Sequence, residues 1–302
     1  MINLIIHILI LLLVPPLLLG IINKTKAWFA GRKGVPYFQT YYDIIKLLRK
    51  GMVLSTTTTW IFVAAPIVTL ISVLLAGILV PFGPFPSPIS FAGDVILFAY
   101  LFGLARFFTT TAALDTGSAF EGMGSAREVT FACLTEPALF FAFLVLAKIS
   151  GSFQLTRMLL GPEGGFTMVS AAPLVLIAVG VFIVLLAETC RIPVDDPNTH
   201  LELTMIHEVM VLDHSGPLLG VILYASSLKF LILGSLLLHI IFPIRPEFGL
   251  LNWPLFIIEL FGLAIVVGII ESIMARLRMR NVSYLLIGAI LFCGFGFILL
   301  VR

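Results

Sequence analysis

The chain has 302 residues, of which 60% are hydrophobic and only 11% charged, with a mean hydropathy of +1.15 and a formal charge of +2. This composition is that of a polytopic membrane protein. It excludes a nucleic-acid footprint, which requires a basic face free of compensating carboxylates.

A bilayer core needs about 20 apolar residues per crossing helix. Eight windows meet or approach that length, at about residues 3–22, 59–82, 94–113, 129–149, 171–188, 217–242, 253–272 and 282–301. A β-barrel would show short alternating segments, whereas runs such as Ile8 to Leu13 and Phe230 to Leu238 carry no polar alternation. The expected fold is therefore all-α, a single membrane domain over 1–302 with about eight transmembrane helices. The first window lacks a basic leader and a small-residue cleavage site, so it reads as a retained helix.

The segment after the first window has its own organisation. Gly31, Gly34 and Pro36 break the chain, and then Tyr37-Phe38, Tyr41, Ile44-Ile45 and Leu48 recur at helical spacing. Asp43, Lys46, Arg49 and Lys50 fill the remaining positions, which predicts a surface amphipathic helix. Such a helix lies at the headgroup boundary, and the same face can also dock a peripheral subunit.

Several windows carry ionisable residues, which normally face a cavity or a partner inside a bilayer. Arg106 lies one to two turns from the end of the third window; it stays charged, so its role is electrostatic. Glu136 lies a third of the way into the fourth, beside Pro137, which frees a backbone carbonyl. Lys229 lies near the centre of the sixth, and Glu188 and Glu271 close the fifth and seventh. Burial favours the neutral forms of a carboxylic acid and an amine, which suits Glu136 and Lys229 to a proton route. Glu259 reads as an interfacial charge, and Glu271 with Arg276 and Arg278 reads equally as an anchoring charge cluster.

Between the fifth and sixth windows, Glu188 to Ser215 holds six acidic side chains and three histidines. His200, His207 and His214 recur every seven residues, a spacing of ~10.5 Å along a helix, too far for one ion to bridge. Proton exchange suits them better, because histidine titrates near neutral pH. Cys133, Cys190 and Cys293 stand singly, with no C-x-x-C, so they read as structural thiols and any redox centre belongs to a partner chain.

Basic residues set the orientation. Lys24, Lys26, Arg32, Lys33, Lys46, Arg49 and Lys50 fall in the first loop, Arg127 before the fourth window, Arg191 after the fifth, and Arg276, Arg278 and Arg280 after the seventh. Cytoplasmic loops are expected at about 23–58, 114–128, 189–216 and 273–281, with both termini external.

Taken in order, GRKGVPYFQTYYDIIKLLRKG, ARFF, LDTGSAF, GSARE, TEP, RIPVDDPNTHLEL, HSGP, SLK and ESIMARLR resemble the membrane subunit of group 4 [NiFe] hydrogenases. This is the formate hydrogenlyase subunit 4 type, similar also to subunit 1 of respiratory complex I, and the resemblance covers almost the whole chain. It implies an anchoring and ion-coupling subunit of a multisubunit oxidoreductase complex, non-catalytic alone, in the inner (cytoplasmic) membrane of a prokaryote. The implied partners are a hydrogenase-like large subunit, a small iron–sulfur subunit and antiporter-like membrane subunits. The NiFe centre and iron–sulfur clusters would sit in those partners, with none bound by this chain.

On the same resemblance, Glu136, Glu188, Asp195, Glu202 and Glu208 match acids of a charged funnel leading into the membrane. With Lys229, Arg106 and Glu271 they form the candidate proton-coupling set. Tyr41, Asp43, Lys46, Asp115, Arg127, Glu128, Arg191, Asp213 and His214, on the cytoplasmic loops, are the candidate docking residues. Val194-Asp195-Asp196-Pro197-Asn198-Thr199-His200 departs from the Phe-Asp and Ala-Glu-Ala-Glu pattern of complex I subunits and several formate hydrogenlyase members, which argues for a hydrogenase-like branch over a quinone reductase. Two alternatives remain: a quinone-chamber subunit of a complex I-like oxidoreductase, with quinone as ligand, and a free-standing secondary transporter, for which an internal repeat is lacking.

Overall fold

The computed structural model describes residues 2–161, 168–195, 205–243 and 249–301. Eight helices are long and apolar enough to cross a membrane. They are α1 (Ile2–Phe29), α3 (Trp60–Leu79), α4 (Asp94–Asp115), α5 (Ala119–Ser150), α7 (Met168–Glu188), α8 (Gly216–Ile241), α9 (Asn252–Ile273) and α10 (Met279–Val301). Two short α-helices complete the described set, α2 (Gln39–Leu48) and α6 (Leu155–Leu160). The all-α, eight-crossing expectation holds.

Two boundaries differ from the hydropathy windows. α1 continues through Phe29, and α5 begins at Ala119, ten residues before its apolar window at 129. At 1.5 Å per residue, the 32 residues of α5 reach ~48 Å, well beyond the ~30 Å hydrocarbon core. The polar first turns of α5 thus stand in the headgroup region as helix, and GSARE belongs to a helix where sequence suggested a loop. Hydropathy finds the lipid-embedded part of a helix and is blind to its polar extension.

α8 is the hub. It packs on α1, α2, α3, α7 and α9, and 72% of its most apolar window is buried. Around it lies one continuous apolar core that includes Phe98, Phe143, Phe230, Leu236, Phe256 and Leu260. Lipid offers no hydrophobic drive between helices, so close backbone approach has to supply packing energy. Gly268 lies against α1 so tightly that a Cβ would sit 2.8 Å from the Thr25 Cβ and 3.1 Å from the Ile22 carbonyl oxygen. Gly180 meets α10 similarly, with a Cβ 2.3 Å from Cys293 Sγ.

The amphipathic helix predicted after the first span is α2. Ile44 is its buried residue, and the helix lies on α8, where a Cβ at Gly220 would sit 3.2 Å from Leu47 Cβ. Pro15 and Pro16 remain inside α1 without ending it. A proline at 16 leaves the carbonyl of Leu12, four residues back, without its helical N–H. The Tyr224 hydroxyl of α8 donates to that oxygen at 2.9 Å, and the Tyr41 hydroxyl of α2 donates to the neighbouring Leu13 carbonyl. The three elements are therefore joined where α1 is weakest.

Candidate functional site

Charged side chains converge where α4, α5 and α7 meet. Arg106 projects from α4, and its guanidinium contacts three carboxylates: Glu188 at the end of α7 at 2.5 Å, Glu128 of α5 at 3.6 Å, and Glu136 of α5 in a short contact. The Glu188 oxygen also accepts from the Thr135 hydroxyl at 2.8 Å. A guanidinium suits this position because its fork serves several acceptors and stays charged when buried. Exposure grades outward through the cluster: side-chain values are 9% for Glu188, 11% for Arg106, 19% for Glu128 and 49% for Glu136.

Behind Glu188 lies a cavity of about 20 Å³, room for one water, lined among others by Lys229, His207, His214, Cys190, Thr69 and Thr109. Lys229 shares this cavity with Glu188, so the sixth span brings a basic side chain to the water-sized space that Glu188 lines. Burial and the Lys229 ammonium push His207 down to about 4, so it stays neutral at physiological pH. Burial also lowers His214, whose ring stacks on Phe62 at 3.9 Å. Neither environment supports the titration near neutral pH that the sequence suggested for these two histidines. His200 lies outside the described residues, as do Asp196 and Glu202.

The turn after α7 links this cluster to a second one. The N–H of Arg191 donates to Leu186 O at 2.8 Å and that of Cys190 to Ala187 O at 3.1 Å, the paired bonds of a Schellman termination. Cys190 occupies the left-handed position at φ 51, where glycine is usual. The turn aims Arg191 inward, 3.3 Å from Glu271 of α9, and Lys26 of α1 reaches the same carboxylate at 2.8 Å. Asp195 is wholly buried; it pairs with Arg276 at 2.8 Å and accepts the N–H groups of Ile206 at 2.9 Å and His207 at 3.3 Å. Its carboxylate thereby closes the base of the α7–α8 connection.

The proposed docking residues divide. Asp43 and Lys46 are exposed on α2, and Asp213 is exposed beside α8, its N–H donating to Glu121 at 2.9 Å. Tyr41 is turned partly inward by its bond to Leu13, and burial raises its hydroxyl pKa. Asp115 accepts from the Thr59 N–H at 2.7 Å at the start of α3, and Arg127 donates to the Met205 carbonyl at 2.7 Å. Glu208 is half-buried at the start of a 3-10 turn over Glu208–Val211. Three residues do not form a docking surface. Arg191 and His214 are buried at 8% and 5% exposure, and Glu128 belongs to the Arg106 cluster. Loop position in sequence could not show that these side chains turn inward.

Thr135 and Cys190 are site residues that sequence reasoning passed over. Thr135 had a signal in its place within TEP; Cys190 had none, because a left-handed non-glycine residue has no sequence mark.

The family profile described as NADH dehydrogenase matches residues 2–302. The chain belongs to this family. It is 30% identical to formate hydrogenlyase subunit 4 of Escherichia coli (strain K12) over 295 residues, covering 96% of this chain and 93% of that protein. Hydrogenase-4 component C of the same organism is 33% identical, over 78% of this chain and 73% of that one. The H subunit of NADH-quinone oxidoreductase from Methylibium petroleiphilum is 25% identical, over 64% and 56% respectively. A chain of the membrane-bound sulfane sulfur reductase, an archaeal respiratory membrane complex, shares the fold with a TM-score of 0.83 at 20% identity, over 98% of both chains. The resemblance drawn from the motifs thus stands, including its two branches within one family.

Proposed function

We propose that this chain is the membrane-anchoring and ion-coupling subunit of a multisubunit, energy-converting complex of the formate hydrogenlyase type. The observation that carries the reading is the Arg106 cluster. One guanidinium gathers Glu128, Glu136 and Glu188 beside Lys229 at the end of α7, on a chain aligned nearly end to end with formate hydrogenlyase subunit 4. A buried cluster of this kind costs desolvation energy and does not serve stability best, so a role in moving charge is the reason to keep it.

In this role the basic loops face the cytoplasm, where a hydrogenase-like large subunit and a small iron–sulfur subunit dock, and antiporter-like subunits adjoin in the inner membrane. The NiFe centre and clusters belong to those partners. A charge change at the junction shifts the α7–α8 connection, and Glu188, Glu136 and Lys229 redistribute protons in response.

Glu136→Gln and Lys229→Met in the whole complex are expected to abolish electron-transfer-driven acidification of inverted vesicles while the complex still assembles. Acidification at the wild-type ratio to electron transfer would remove the proposed roles. The similarity to the NADH-quinone oxidoreductase component supports a second reading, a quinone-chamber subunit. Bound quinone and inhibitor-sensitive quinone reduction in the purified complex would favour it. The relatives are named as components of larger enzymes, which gives no support to a free-standing transporter.

A further inference from the structure

The end of α1 carries a second group of charges, on residues that the Arg106 cluster does not use. With 28 residues α1 reaches ~42 Å, about 12 Å more than the hydrocarbon core, and its first lysine is Lys24. The turns from Lys24 to Phe29 therefore stand at headgroup level, where Trp28 is 76% exposed, as interfacial tryptophans are. A cleft of about 570 Å³ opens there, lined by Lys24, Trp28, Gly31, Arg32 and Lys33. Three of these described lining residues are cations and none is acidic.

The backbone holds the cations in place. α1 ends in a Schellman turn: the Gly31 N–H donates to Trp28 O at 3.0 Å and the Arg32 N–H to Ala27 O at 2.9 Å, with Gly31 left-handed at φ 66. That reversal folds the chain back onto its own helix. Gly34 passes so close that a Cβ would collide with Ala27 Cβ, and a Cβ at Gly20 would collide with the Tyr37 carbonyl. Lys24 Nζ donates to the Lys33 carbonyl at 2.6 Å and lies 5.6 Å from the centroid of the Tyr37 ring. An ammonium has three donors, so Lys24 keeps N–H groups for a further acceptor. Arg32 and Lys33 are exposed beside it.

We infer that this cleft binds the phosphodiester headgroup of an anionic phospholipid, from the leaflet on the side of the basic loops. The Arg32 fork and the two ammonium groups complement phosphate oxygens, and Trp28 offers an apolar wall to the glycerol and the upper acyl chain. An acidic protein segment would meet the same cations, but Trp28 belongs to a crossing helix, and its exposure sets lipid beside them. Lys26, two residues beyond Lys24, pairs with Glu271 of α9 at 2.8 Å, so the lipid anchors the stretch of helix that ties α1 to α9. The inference rests on the chain crossing a membrane and not on the complex it joins.

The test is native mass spectrometry of the full-length chain, purified in detergent, delipidated, and titrated with phosphatidylglycerol, phosphatidylcholine or inorganic phosphate. Phosphatidylglycerol is expected to bind ~10-fold or more tightly than phosphatidylcholine, and inorganic phosphate at matched concentration should not displace it. Arg32→Gln with Lys33→Gln should lower the phosphatidylglycerol affinity by ~10-fold or more, since each cation near an anionic lipid contributes roughly a factor of five. Arg32→Lys with Lys33→Arg should keep it. Arg49→Gln with Lys50→Gln removes the same charge from other exposed positions and should leave the affinity nearly unchanged. Equal losses from the two glutamine pairs would show general attraction and overturn the site, as would full affinity in the Arg32 and Lys33 variant or equal binding of the choline lipid. Displacement by inorganic phosphate would overturn the lipid as occupant. Loss of a peripheral subunit from the assembled complex in that variant, at unchanged lipid content, would assign the cleft to protein and overturn it too.

Discussion

Removing Arg106 tests whether the cluster is held by one cation. In Arg106→Gln the helices remain, but Glu188 loses its 2.5 Å partner and keeps the Thr135 hydroxyl at 2.8 Å as hydrogen-bond donor, with Lys229 across the small cavity. Breaking a buried pair by deleting one side costs ~3–5 kcal/mol, because the other charge is left in low dielectric. The cost of protonation gives a similar figure: neutralising one carboxylate of ordinary pKa at pH 7 takes ~3.7 kcal/mol. The half-exposed Glu136 adds at most ~1 kcal/mol, and Glu128, at 3.6 Å, adds less than a direct contact. At roughly 2–4 °C per kcal/mol, the expected loss is about 6–20 °C in thermal midpoint, read by intrinsic fluorescence of the detergent-purified protein. Arg106→Lys should fall between, since an ammonium keeps the charge and loses the fork. The double variant Arg106→Gln with Glu188→Gln should recover a good part of the loss, because no unpaired charge then remains at the innermost position. A single variant within about 1–2 °C of wild type, or a double variant no better than the single, would show that Arg106 is not what holds these carboxylates.

Three further outcomes follow from named contacts. His207 is ordinarily near 6.5 and is held at about 4 in the fold, so the unfolded chain binds its proton first. The stability this site contributes is full above about 6.5 and is lost as pH falls toward 4; His207→Gln should flatten a thermal-midpoint profile across that window. Tyr224→Phe removes the donor to the Leu12 carbonyl and should cost about 1 kcal/mol; the same change in a Pro16→Ala background should cost measurably less, because alanine at that position returns an N–H to the carbonyl. Asp195→Ala strips two backbone N–H groups and Arg276 of their acceptor at once. It should make the α7–α8 connection several-fold more sensitive to limited proteolysis than in wild type, with unchanged cleavage showing that the base is closed by other means.

Much of the fold was legible because lipid imposes a simple rule: a crossing needs a long apolar run, and Ile2–Phe29 or Gly216–Ile241 cannot be read otherwise. The amphipathic α2 was legible for the same reason, since Ile44 and Leu48 mark one side of a short helix. Charge inside the runs also spoke plainly; Arg106, Glu136, Glu188 and Lys229 were all singled out, and three of them are in contact. What sequence could not carry was direction. Arg191 and Asp213 look alike as loop charges, yet the Schellman turn at Cys190 sends one into the bundle toward Glu271 and leaves the other outside. Nor could it show that α5 extends ten residues beyond its apolar window, because a polar helical turn in the headgroup region resembles a loop in hydropathy.

The segment from Glu188 to Asp195 explains how a contact on the loop side can reach the membrane interior. Within eight residues it binds Arg106 of α4, Glu271 of α9 through Arg191, and Arg276 just before α10 through Asp195. Glu271 in turn holds Lys26, so α1 joins the same set. These bonds have little slack, because Asp195 and Glu271 are buried and their partners come from separate parts of the chain, α1, the turn after α7 and the α9–α10 loop. A displacement that moves the α7–α8 connection by even one hydrogen-bond length must break or stretch an ion pair at one end or the other. Cys190 sets the direction of that strain: its left-handed backbone is a rigid corner between α7 and the loop, and its side chain lines the cavity with Lys229 and His207. In the proposed role, coupling follows from this geometry, since the partner need only shift the loop for the charge balance around Arg106 to change.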